Sequence, residues 1–268
     1  MKISIVTSYY NRKPQFINTL KTIQQSKQID NVELIVVDDC SADEHRLEDI
    51  PEQFTFVRVI RLESGDRWYT NPCVPFNAAI REATGDVVVL QNPECLHVGD
   101  ILDDITNKIN DHVYLTYGVY SLDKETTSHL YDLPYDHTHI FDMIKAQIAP
   151  MNNRNYVSEG QACWYNHSVH RPAGYHFVAA ISKNNMDRLN GFDERYSNGI
   201  GFDDDEFLFR VKMLGLDVQI HDEPFAIHQW HYSENNFFAK SDNVGQALAR
   251  NQALFNNVTK KLTSPHVN

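Results

Sequence analysis

Residues 32–39 read VELIVVDD, an apolar run closed by two carboxylates. A strand covered on both faces of a parallel sheet loses the in–out alternation and reads as a continuous Val/Ile/Leu run. The same signature stands upstream in Ile3 to Thr7 and downstream in FVRVIRL (Phe56 to Leu62) and DVVVLQN (Asp86 to Asn92). Between these runs lie helical patterns: an apolar face at Phe16, Ile17, Leu20 and Ile23, and PFNAAIREATG, which Gly85 closes. Strand–helix alternation of this kind predicts an α/β fold with a mostly parallel, doubly wound sheet, helices on both faces, and ligands at the carboxyl ends of the strands.

The second half is less regular. HVYLTYGVYSL (His112 to Leu122) and YHFVAAIS read as strands, and KNNMDRLNGFDERY as a short helix stopped by Gly191. Residues 123–175 read as long loops with a helix near Ile140 to Ile148, and loops of that length are binding surfaces or lids. DVQIHDEPFAIHQWHYS suggests two short strands, and Val244 to Val258 a docking helix. No Pro/Gly/Ser-rich linker divides the chain, which predicts one domain over residues 1–268, with the regular half at 1–120, the less regular half at 121–231 and the docking helix within 232–268.

A net charge of −12 over 268 residues disfavours nucleic acid or an anionic membrane surface as the partner. It also means that a phosphate-bearing ligand needs a local cation. The four cysteines show no CxxC spacing and read as free thiols of a reducing compartment. The apolar start of MKISIVTSYYNR is too short for a signal peptide and no later stretch approaches a membrane span, so the expectation is a soluble, cytoplasmic protein.

Five constellations can carry chemistry. Asp38 and Asp39 end a buried strand beside Thr7 and Ser8, where a carboxylate can accept from a base N–H or a ribose hydroxyl; the bland reading is a turn cap with Ser41. Asn92 and Glu94 follow the central strand two residues apart and can face one Mn2+ or Mg2+, against a plain Asn-Pro turn. His228 and His231 offer imidazoles to the same ion, although with 13 histidines a structural role is the default for either. In GFDDDEF (201–207) the acids read as a helix start, with Asp203 and Glu206 spaced as a capping box, or as a site carboxylate. Trp164, Tyr165, Asn166 and His167 form an aromatic and polar group that can stack on and hydrogen-bond a sugar, or simply anchor a loop.

Taken in order, ISIVTSYYNR, ELIVVDDCSAD, FNAAIREATGDVVVLQNPE and AISKNNMDRLNGFDERYSNGIGFDDDEFLFRV resemble glycosyltransferases of the GT-A fold, close to family 2, with a second half similar to the carboxyl-terminal part of β-1,4-galactosyltransferases. The resemblance implies an inverting transfer of a sugar from a nucleotide-diphosphate donor, most simply a UDP-sugar, to a hydroxyl of a glycan or glycoconjugate. It implies Asp204 as general base with Asp203 beside it. It further implies a nucleotide-sugar half over 1–120 and an acceptor half over 121–231, with Thr7, Tyr9, Arg12, Asp38, Asp39, Asn77 and Asn92 in nucleotide binding and Glu94 with His228 or His231 on a divalent metal. Asp123 to Tyr175 matches nothing in the family well enough to identify an acceptor, so Trp164, Tyr165, Asn166 and His167 stand as acceptor candidates on their residue types alone. The chain departs from the family where Asn92 replaces an aspartate and Cys40 a glycine. A nucleotidyltransferase would need a Gly-rich phosphate loop, and a dinucleotide enzyme GxGxxG, after the first strand; SYYNRKPQF has neither. The remaining alternative is a degenerate module that binds a glycan or nucleotide without turnover.

Overall fold

The computed structural model describes residues 1–131, 137–144, 162–231 and 244–263. The first half is β1 (Ile3–Tyr9), α1 (Lys13–Ile23), β2 (Val32–Asp39), α2 (Ile50–Gln53), β3 (Val57–Leu62), α3 (Cys73–Glu82) and β4 (Val87–Gln91). These four strands are parallel and lie in the order β3-β2-β1-β4. Residues alternate along β2 between two cores: Leu34 and Val36 face one, Ile35 and Val37 the other. Helices α1 and α3 cover opposite faces, Phe16 and Leu20 on the first core, Phe76 and Ala79 on the second. A continuous apolar strand is therefore the pattern this sheet demands, since each fully buried Val, Leu or Ile contributes about 1.5–3 kcal/mol.

The second half adds β5 (Cys95–Val98), α4 (Ile101–Lys108), β6 (Val113–Ser121), α5 (Lys124–Leu130), α6 (His137–Ile144), β7 (Cys163–Asn166), β8 (Val178–Ser182), α7 (Lys183–Leu189), α8 (Asp203–Met213), β9 (Asp217–His228) and α9 (Val244–Thr263). The sheet continues from β4 as β8-β6-β9-β5, with β7 on β6. β8 runs antiparallel to both β4 and β6, while β6 and β9 are parallel. A third core, with Trp164, Phe225 and Ile227, closes the far end under α5 and α6.

Three expectations change. The stretch read as two short strands is one, β9; its pairing with β6 shifts register between Tyr117 and Val119 and resumes at Val119↔Ala226. The four-residue strands β5 and β7 lie in stretches read as a turn and as loops. The helix expected near Ile140 to Ile148 runs over His137–Ile144, and residues 145–148 lie outside the described residues. Among the described residues, no helix is long and apolar enough to cross a membrane.

Candidate active site

The carboxyl ends of β2, β1 and β4 lie side by side and present the loops after Asp39, Tyr9 and Gln91 along one edge. At the β2 end, Asp38 is fully buried and spends both oxygens on structure: Oδ2 accepts from Arg61 Nη1 at 2.7 Å and Oδ1 from the Ser41 N–H at 3.0 Å. The turn-cap role with Ser41 is the one it fills. Asp39 faces a different set, accepting from Tyr69 Oη at 2.8 Å with Arg67 Nη2 3.5 Å from Oδ2. Burial raises its pKa, against the pull of Tyr69 and Arg67. Arg67 also stacks over Tyr10 at 5.1 Å, and Trp68 beside it is 58% exposed. Thr7 Oγ1 is buried with no hydrogen-bond partner among the described residues.

Two residues expected on the nucleotide are braces instead. Tyr9 is fully buried against Phe16; its hydroxyl donates to the His45 carbonyl at 2.7 Å and accepts from the Arg12 N–H at 3.2 Å. Asn77 bonds the Phe192 N–H and carbonyl at 2.7 and 2.9 Å, and Glu194 at 3.0 Å, tying α3 to the loop after α7. Neither has an edge left for a ligand.

Beyond β4, the pairing Cys95↔His228 sets the start of β5 against the end of β9, which places Glu94 next to His228. Glu94 is 1% exposed; its Oε1 lies 3.0 Å from His228 Nε2 and 3.9 Å from His231 Nε2. The ligating atoms of the three all fall within 4.8 Å of one another. Its Oε2 accepts from Arg12 Nη1 at 2.7 Å, and Asn92 Nδ2 reaches Oε1 at 3.4 Å. Although burial alone would raise the Glu94 pKa, Arg12 and the two imidazoles hold it well below the usual carboxylate range. One carboxylate with two imidazoles is a donor set that suits a divalent ion such as Mn2+, so these residues fit the group.

At the other wall, the turn of Gly199, Ile200 and Gly201 leads into α8. Asn92 and Asp204 line one cleft of about 200 Å³ together with Asn71, His176 and Asp203. Asp203 is 7% exposed and accepts from Asn71 Nδ2 at 2.7 Å. The expected capping box is absent, because Glu206 instead pairs with Arg210 at 2.6 Å and Phe202 is the N-cap, with no side-chain cap bond. The Asp204 side chain keeps 38% of its surface open, and its Oδ1 lies 3.1 Å from His176 Nδ1. Burial in the cleft, then the charge of Asp205, pushes the Asp204 carboxyl up to about 7. Burial and the neighbouring Asp204 do the same to Asp203, also to about 7. His176, enclosed by Phe76 and Phe192, is kept neutral by burial, its pKa down to about 4. A wider recess of about 910 Å³ opens behind α8, lined by Glu206 and Arg210 but by neither Asp203 nor Asp204.

The 164–167 group does not reach this cleft as expected. Asn166 is fully buried and bonds Thr116 Oγ1, the Tyr117 carbonyl and the Gly174 N–H, so it closes the sheet rather than receiving a sugar. Trp164 packs in the third core against Tyr120 and Phe225, and Tyr165 lies against His228 at 4.9 Å. His167 caps its own hairpin, accepting from the Val169 and His170 N–H groups, with Asp222 at 3.6 Å. Reading the sequence missed His176, Asn71 and Arg67, and took Tyr69 with Trp68 only as an aromatic pair for a sugar; the one local signal for His176 was a histidine abutting the buried strand VAAIS.

This architecture, an α/β sheet with acids at its parallel carboxyl edge and a further acid run opposite, is that of a GT-A glycosyltransferase. Residues 4–169, more than half of the chain, match the sequence profile of glycosyl transferase family 2, and the chain belongs to that family. Residues 163–232 match a second profile, the N-terminal domain of galactosyltransferase. Among solved structures, the mannosyltransferase PcManGT from Pyrobaculum calidifontis, in complex with GDP-Man and Mn2+, is similar with a TM-score of 0.53 at 17% identity, over 96% of this chain and 64% of its own. The chain thus spans less than two thirds of that enzyme. S. aureus TarS 1-349 in complex with UDP-GlcNAc gives a TM-score of 0.58 at 14% identity, over 99% of this chain and 77% of that one. At such identities the likeness is one of fold. No curated protein matches the chain.

Proposed function

We propose that the chain transfers a sugar, with inversion, from a nucleotide-diphosphate donor to a hydroxyl of a glycan or glycoconjugate. The observation that carries this reading is that Asp204, with a raised pKa and one oxygen free of protein partners among the described residues, lines the same cleft as Asn92, the neighbour of Glu94. A base poised near neutral pH takes a proton efficiently without being permanently protonated. Asp204 Oδ2 accepts the proton of the acceptor hydroxyl as that oxygen bonds to the anomeric carbon. The bond from that carbon to the diphosphate oxygen breaks at the same time, and its electron pair leaves with the nucleotide. Asp39, Tyr69 and Arg67 at the β2 end form the polar edge for the nucleoside, and Arg12 offers charge to the diphosphate.

A divalent ion held by Glu94, His228 and His231, Mn2+ before Mg2+ given two imidazoles, would neutralise charge on the leaving diphosphate. UDP is favoured by the UDP-GlcNAc complex of TarS, while the GDP-Man complex of PcManGT keeps GDP in the test. Residues 1–120 would take the donor and 121–231 the acceptor, with the docking helix at α9 (Val244–Thr263). The four free cysteines fit a reducing cytoplasm.

The test is titration with UDP- and GDP-sugars, with and without Mn2+, followed by mass analysis of released sugar and nucleotide. Metal-stimulated turnover is expected. Binding without turnover would support the second reading, a degenerate module, which Asn92 at an acidic position and the Arg12–Glu94 ion pair favour.

A further inference from the structure

Along α9 the inward stripe is Val244, Ala247, Asn251, Phe255 and Val258, a helical spacing with an amide at its centre. Asn251 is fully buried. Its Nδ2 donates to the carbonyls of Tyr196 at 3.1 Å and Gly201 at 2.8 Å. Its Oδ1 has no partner among the described residues, so the side chain serves through its two N–H groups. The Ala247 carbonyl accepts from the Ile200 N–H at 3.3 Å, and Arg250 Nη1 donates to the Asn198 carbonyl at 3.2 Å. Gly199 lies directly against the amide, where an added Cβ would sit 2.0 Å from Asn251 Oδ1.

The opposite side of this turn is held as well. The N–H groups of Thr70 and Asn71 donate to the Ser197 carbonyl, each at 2.9 Å, and Asn71 also holds Asp203. Between the two clasps the backbone is strained: Gly201 has φ +62° and Phe202, which is not a glycine, has φ +63°. A left-handed pair of this kind persists only where its surroundings over-determine it. The next two residues are Asp203 and Asp204.

An aliphatic residue would pack at position 251 as well as its neighbours do, and burying an amide with one unpaired atom is costly. The amide is accounted for by the turn it grips. We infer that Asn251 is a positioning residue for transfer, acting through the 196–202 turn to set the aim of Asp204. This rests on the reading of Asp204 as the base.

The experiment compares the isosteric variant Asn251→Asp, which removes both N–H donors without changing volume, with Val258→Ala, which loosens the same helix away from the turn. Hydrogen–deuterium exchange and release of UDP from UDP-GlcNAc and UDP-galactose are both measured. Asn251→Asp should raise exchange in peptides covering 199–205 while β1 to β4 stay protected. It should also lower kcat about 10- to 100-fold with donor KM unchanged, because displacement of a catalytic group by about 1 Å costs that much. Val258→Ala should lower stability and leave kcat near the parent value. Unchanged exchange at 199–205 would overturn the clamp, and increased exchange with unchanged kcat would overturn its role in transfer. An equal loss of kcat in Val258→Ala would make the effect one of general stability and sink the positioning role. A parent chain that turns over neither donor would count against the transfer reading, not the clamp, which the exchange data decide alone.

Discussion

Arg12 Nη1 lies 2.7 Å from Glu94 Oε2, so a guanidinium occupies one oxygen of the acid that two histidines approach at the other. A fixed positive charge at that position competes with any divalent ion for the same carboxylate. Arg12→Gln should therefore tighten Mn2+ binding by the nucleotide-free chain, by about tenfold or more at these separations. The same change should weaken UDP binding, since a charge-assisted contact to phosphate is lost. Mn2+ electron paramagnetic resonance, which counts free ion directly, checks the first effect; unchanged or weaker metal affinity would show that Arg12 does not compete.

Asp204→Asn should leave the chain folded and UDP binding intact and reduce transfer by about 10²- to 10⁴-fold, the usual worth of a general base. With Asp204 pushed up to about 7, the parent kcat/KM should rise with pH to a plateau above that value. Because Asp205 contributes to the shift, Asp205→Asn should move the rise to lower pH. A parent profile flat from pH 5 to 8 would refute the assignment.

Two carboxylates give stability opposite dependences on pH. Against the cost of burial, hydrogen bonds from Ser4, Thr84 and Lys2 hold Glu33 down to about 2, from an ordinary 4.5. Its contribution is present above 4.5 and lost as pH falls through about 2, so Glu33→Gln should cost about 2 kcal/mol at pH 7 and much less at pH 2. Asp203 is raised to about 7, so the folded state holds its proton more tightly than the unfolded chain. Its contribution is full below about 3.8 and disappears as pH rises through 7; Asp203→Asn should therefore gain stability over the parent at pH 8. Urea denaturation at three pH values tests both.

Gly191 has φ +66°, and a Cβ there would stand 2.3 Å from Asn77 Oδ1, the atom that receives the Phe192 N–H. Gly191→Ala should destabilise by about 1–3 kcal/mol through both strain and the displaced amide. Asn77→Ala should cost a similar amount, and the double variant less than the sum, because the two act on one contact. Additive losses would mean that the two positions are uncoupled.

The parallel half was legible because a strand buried on both faces leaves no choice of residue, as Leu34 to Val37 show. The β5 and β7 strands were not, because four residues carry no period of their own and owe their extension to β9 and β6. At the site, the grouping of Glu94 with His228 was open to reading, as both residue types favour a cation. Tyr9, Asn77 and Asn166 misled for one reason: a buried polar side chain closes backbone groups more often than it meets a ligand. His176 and Asn251 were hidden because what they do depends on Asp204 and Gly201, which only the fold brings near.

The helix that grips the Gly199–Gly201 turn follows β9 in the chain and so leaves a ribosome after it. A nascent chain can complete β1 to β9 and assemble Glu94 with its histidines while the turn before Asp204 is still held from one side only. Donor recognition would then mature before acceptor activation, and a truncated product of synthesis would bind nucleotide without spending it.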